Sequence, residues 1–205
     1  MLALHTRSDK RQLLFNMVHF AGTVSGRAMQ KNFLVISALG EDRPGIVNEL
    51  SKLIAETGCS IEDSRMTVLG GDFAVILLVE GRWNELAKLE AGFPAAARRL
   101  NLAIHAKRTS PLQRESNLLP YTVEVVSIDH PGIVHQLANF FSSREINIRD
   151  LATTSYSATH TGTPMFQVQM TIDISAAIHI ARLREEFMDL CDQLNLDAII
   201  EPAKA

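Results

Sequence analysis

The chain has 205 residues, 46% of them hydrophobic, enough for one large domain or two small ones with real cores. Its net charge of −3 gives no electrostatic footprint for gripping nucleic acid. No window approaches the roughly eighteen apolar residues that a membrane span needs, and the two cysteines form no CxxC, so a reduced, cytoplasmic protein is expected.

Residues 1–30 read apart from the rest. "RQLLFNMVHF" places basic residues before an apolar stretch, but Asn16 and His19 interrupt it and "SGRAMQ" offers no A-x-A-like cleavage site. An N-terminal extension, disordered or started upstream of Met29, is the expectation.

"FLVISAL" (33–39) is a β-branched apolar run, as a buried strand should be. "EDRPGIV" (41–47) follows, with Pro44 suited to the first turn of a helix. Ile46, Val47, Leu50, Leu53 and Ile54 then recur on one helical face. "CSIEDSRMTVL" and "DFAVILLVEG" flank Gly70-Gly71, a hairpin signal. "RWNELAKLEAGFPAAARRL" reads as a helix that Pro94 should kink or break, and 102–108 as a last strand. The order is β-α-β-β-α-β. "TSPLQRESNLLP" (109–120) has linker composition, centred on 110–119.

The same order then returns: strand 121–127, helix 131–144, strands near 146–157 and 164–173, helix 176–194 and strand 196–201. Residues 127–150 match 40–63 at eight of twenty-four positions, from Asp42/Asp129, Pro44/Pro131 and Gly45/Gly132 to Asp63/Asp150. This is a duplicated module. The expected fold is α+β: two tandem ferredoxin-like modules, 32–109 and 120–202, each an antiparallel sheet with two helices on one face. Bare sheet faces and edge strands favour pairing between modules or between chains, so a homo-oligomer is expected.

The duplicated turn invites two readings. Gly45 and Gly132 stand where a helix begins and several amides lack intrahelical partners, so a carboxylate is attracted there. Asp42 and Asp129 then accept from an ammonium group, or else they merely cap a well-made helix start. The residue pattern alone leaves both open.

β-α-β-β-α-β modules opening with D/N-x-P-G-[IV] resemble ACT domains, regulatory modules that bind amino acids between paired copies. The resemblance implies a ligand site at Asp42, Gly45, Ile46 and Val47 in the first copy and Asp129, Gly132, Ile133 and Val134 in the second. It adds a polar position eighteen residues after the Asp, here Ser60 and Asn147. Asp129 with Asn147 is nearer the family's paired asparagines, and Ser60 departs from them. "ALGEDRPGIVN", followed by "CSIEDSR", is also similar to bacterial tandem-ACT repressors of the glycine cleavage genes. That similarity implies a small amino acid, glycine foremost, as ligand and a LysR-type activator protein as partner, with repression by protein contact. A regulator or dimerisation module of another pathway is the competing reading.

Other features agree with a protein-binding regulator. No helix-turn-helix, zinc-finger spacing or basic stripe is present, so no direct nucleic-acid contact is expected. Arg98-Arg99 and Lys107-Arg108 read as solvated faces. With five heavy atoms and at most about 1.5 kcal/mol each, glycine could gain roughly 7.5 kcal/mol, low-micromolar at best, which suits a metabolite sensor. The histidines show no metal spacing; His135 reads either as bordering the second ligand site or as an ordinary helix residue. Cys59 reads as a small buried side chain and Trp83 as a packing anchor, with a partner-facing role as its other reading. Glu62, Asp63 and Arg65 are candidates for a partner surface, with Glu62 and Ser64 on one strand face and Asp63 and Arg65 on the other. No GxSxG, dinucleotide GxGxxG or P-loop appears, so neither catalysis nor a cofactor or metal is expected.

Overall fold

A computed structural model describes residues 31–110 and 117–203, which fall into two compact units. The expectations for 1–30 and for the middle of the linker lie outside these residues.

In the first unit, β1 (Asn32–Glu41), α1 (Ile46–Glu56), β2 (Ser60–Leu69), β3 (Asp72–Gly81), α2 (Trp83–Leu100) and β4 (Ala103–Thr109) form the anticipated order. The sheet runs β2-β3-β1-β4, with every neighbouring pair antiparallel. Period-2 alternation turns Leu34, Ile36 and Ala38 of β1 and Phe73, Val75, Leu77 and Val79 of β3 to one side. Both helices lie there, because Ile46, Leu50 and Ile54 of α1 and Leu86, Leu89 and Phe93 of α2 complete the same cluster. Each fully buried side chain of this size contributes about 1.5–3 kcal/mol. Gly70 and Gly71 turn the hairpin with φ of 63° and 95°, the positive pair a two-residue turn requires.

The second unit repeats the plan with β5 (Leu118–Ile128), α3 (Ile133–Ser142), β6 (Asn147–Ser157), β7 (Pro164–Ser175), α4 (Ile180–Leu194) and β8 (Asp197–Pro202), in sheet order β6-β7-β5-β8. Phe140, Phe141 and Phe187 form its aromatic centre, with ring centroids 5.2–5.3 Å apart.

Two local expectations need correction. Pro94 does not end α2, which runs unbroken from Trp83 to Leu100 because Leu86, Leu89, Phe93, Ala96 and Leu100 keep its buried stripe in phase across the proline. Pro44 lies outside α1 rather than in its first turn, with Gly45 as the N-cap residue.

Candidate ligand-binding loops

Each repeated turn is set by one glycine. Gly45 has φ 94° and ψ −8°, and Gly132 has φ 100° and ψ −7°, a left-handed conformation that L side chains rarely adopt. A Cβ at either position would meet nothing within 4 Å, so backbone strain alone reserves these sites for glycine. The turns are tied down identically: Asp42 N–H donates to Gly71 O at 3.0 Å, and Asp129 N–H to Pro164 O at 2.9 Å.

No side chain caps α1 or α3, which removes the capping reading of Asp42 and Asp129. Asp129 Oδ2 instead accepts from Ser155 Oγ at 3.4 Å. The first helical hydrogen bonds run from Glu49 N–H to Gly45 O (2.9 Å) and from Gln136 N–H to Gly132 O (3.0 Å). The amides ahead of them have no intrahelical acceptor and stand at the positive end of each helix.

The side chains around these turns divide sharply. Ile46 and Ile133 are buried in their cores, so only their backbones can serve a ligand. Val134 packs half-buried against the second core, whereas Val47 is 51% exposed.

Ser60 and Asn147 open β2 and β6, and both are exposed. Within one module they are not brought beside the turn. α1 spans eleven residues between Gly45 and the Ser60 segment, a rise of about 16 Å. One small zwitterion cannot touch both ends of that helix. Beside Asn147, a shallow groove runs between α3 and β6, lined by His135, Ala138, Asn139 and Ser142 on the helix and Ile146, Asn147 and Ile148 on the strand side.

Opposite each polar strand position stands a carboxylate already held by a cation. Ser60 pairs in register with Glu80, which accepts from Lys31 Nζ at 2.9 Å, and that bond raises the Lys31 pKa. Asn147 pairs with Asp173, which binds Arg149. Sequence reasoning missed these pairs because their members are 49 and 24 residues apart.

β2 and β6 each carry a bulge at the same place in the repeat, between Ile61 and Asp63 and between Ile148 and Asp150. Glu62 and Arg149 are the extra residues, which breaks the simple alternation expected for "IEDSR". Beyond the bulge, Asp63 and Arg65 pair with Leu78 and Ile76 on the open sheet face, and Ser64 pairs with the buried Leu77. Arg65 Nη1 also donates to Asp63 Oδ1 at 2.6 Å.

Three further positions can be placed. Trp83 is 70% exposed, so it is not a packing anchor: as the first residue of α2 it falls outside the stripe that Leu86 and Leu89 bury. Arg108 is not simply solvated, because Glu90 accepts from its Nε at 3.0 Å and its Nη2 at 2.5 Å. Cys59 and Cys191 are buried free thiols. Among the described residues no His, Cys, Asp and Glu cluster could hold a metal, and no helix is long and apolar enough to cross a membrane.

Known proteins share this arrangement. The ACT domain family profile matches residues 32–107. The glycine cleavage system transcriptional repressor of Escherichia coli (strain K12) is 33% identical over 170 residues, 83% of this chain and 90% of that protein. The chain belongs to this repressor family. The repressor of Shigella flexneri matches to the same extent. A crystal structure provisionally assigned to such a repressor superposes with a TM-score of 0.67 and 28% identity, over 86% of this chain and 99% of that one. A protein from Galdieria sulphuraria shares the fold with a TM-score of 0.70 at 24% identity, covering 85% and 100%. The tandem ACT architecture of the repressor family is thus the architecture of both units here.

Proposed function

We propose that this protein is a cytoplasmic, glycine-responsive repressor of glycine cleavage genes that acts by holding a LysR-type activator protein rather than DNA. The observation that carries the reading is the 33% identity to the glycine cleavage repressor across 83% of the chain. The duplicated turn supplies the chemistry. Left-handed Gly45 and Gly132 open uncapped helices whose amides suit a carboxylate, and in this reading Asp42 and Asp129 of the same turns accept from the ammonium group.

Ser60 and Asn147 lie a helix length from their own turns, so the turn of a module and its own polar strand position do not enclose one small ligand together. Pairing of Glu80 with Lys31 and of Asp173 with Arg149 offsets negative charge beside that strand position. Glu62, Asp63 and Arg65, exposed on edge strand β2, are proposed to meet the activator. A sequence pI of about 6.2 supports action through protein rather than nucleic acid.

The test is capture from native lysate on the immobilised full chain, with and without glycine. Retention of a LysR-type protein only in the absence of glycine is expected. Retention unaffected by glycine, alongside calorimetric heat for a different amino acid, would assign the protein to another pathway.

A further inference from the structure

Trp83, the single tryptophan of the chain, leaves 70% of its surface to water at the start of α2. It does not stand alone there. Trp83, Ala87 and Glu90 follow at i, i+4 and i+7, a second stripe on α2 beside the buried one of Leu86, Leu89 and Phe93. With Asn32 and Phe33 of β1 and Arg108 of β4, this stripe lines a groove of about 420 Å³. The Glu90–Arg108 ion pair ties its helix side to its strand side. The second module does not repeat this chemistry. Counted from the matching left-handed caps Asn101 and Asn195, the places of Trp83, Glu90 and Arg108 fall to Ala177, Arg184 and Pro202.

We propose that this groove receives the segment "LLFNMVHF" (13–20) of the same chain, which lies outside the described residues. Six of its eight residues are apolar, the chemistry that covers a water-exposed indole and the Ala87 methyl. The groove also sits where that segment arrives, because its lining residues Asn32 and Phe33 open β1. Eleven residues, 21–31, join Phe20 to Asn32 and span at most about 40 Å, ample reach for Phe15 to return to Trp83. Contact within one chain carries an effective concentration of roughly millimolar, so a weak pairing suffices. The groove belongs to the module that the segment joins directly, and the other module lacks its tryptophan and its ion pair. Neither glycine nor the activator enters this inference.

Because Trp83 is the only tryptophan, acrylamide quenching of its fluorescence reads the groove directly. In the full chain at about 1 µM, quenching should be at least threefold weaker than in the urea-unfolded chain. Phe15→Glu in the full chain should bring it close to the unfolded value, with unchanged circular dichroism. Ala87→Arg, on the groove wall, should do the same, whereas Thr23→Glu, in the joining residues, should leave the protection intact. Wild-type quenching near the unfolded value would overturn the proposal, since the ring is then open to water. So would protection that survives Phe15→Glu, which gives the groove to another part of the chain. Protection that grows with chain concentration would overturn it as well, by giving the groove to a second copy.

Discussion

Arg149 grips Asp173 from the β6 bulge, Nε donating to Oδ2 at 3.1 Å, and Asp173 is the residue directly across the ladder from Asn147. The Asp173 side chain is only 11% exposed, so the ion pair is partly shielded from water. Arg149→Ala should lower stability by about 1–3 kcal/mol by leaving a shielded carboxylate unpaired. Adding Asp173→Asn should restore most of the loss, which chemical denaturation in a double-mutant cycle would measure.

Gly132 is held at φ 100° with open space where a Cβ would go. Gly132→Ala should therefore cost about 1–2 kcal/mol from left-handed backbone strain. If the turn receives glycine, the heat of binding in calorimetry should fall with it. A protein in which this substitution lowers the melting temperature but leaves glycine heat intact uses the turn only as scaffold.

Gly40 and Ser127 are equivalent in the repeat but live in different surroundings. A Cβ on Gly40 would sit 2.6 Å from Asn101 O, a backbone atom that cannot swing aside. Gly40→Ala should destabilise by about 2 kcal/mol. Ser127 has a buried Oγ with no hydrogen-bond partner among the described residues, so Ser127→Ala should be neutral or stabilising by up to about 1 kcal/mol. Thermal melts of the two variants should shift in unlike ways.

Acid sensitivity follows from Glu186. Hydrogen bonds from Arg182 and Arg144 hold its carboxyl below the ordinary 4.5. A depressed folded pKa stabilises the fold above the unfolded value, and that contribution is lost as pH falls through the folded value. Stability should therefore rise as pH increases from acid toward neutrality, and Glu186→Gln should flatten that limb. Denaturation midpoints between pH 3 and 6 would show it.

Cys191 is buried, and burial followed by the neighbouring Asp192 charge pushes its thiol up to about 11. It should resist iodoacetamide at pH 8 in the native protein and react once denatured. Mass spectrometry of peptides from the two states checks this.

Much of this molecule was legible in a single line of residues. The apolar periods gave the β-α-β-β-α-β order twice, and the glycine-glycine hairpin and the proline-glycine helix start were visible because φ preference and alternation are encoded within a few neighbouring positions. Candidate ligand residues were legible as a repeated motif but not as a geometry. Whether Asp42 caps its helix depends on where the loop is tied, and that tie goes to Gly71, far along the chain.

What only the folded chain decided concerns distant partners and burial. Trp83 reads as core by composition but faces outward, because the buried stripe of α2 begins at Leu86. Ile46 turns inward while its neighbour Val47 is exposed, since the helix phase is fixed by packing on β1 and β3. Local backbone preference is a property of a residue and its nearest neighbours. Burial, ion pairing and the character of a sheet face belong to segments that meet only after the chain has closed upon itself.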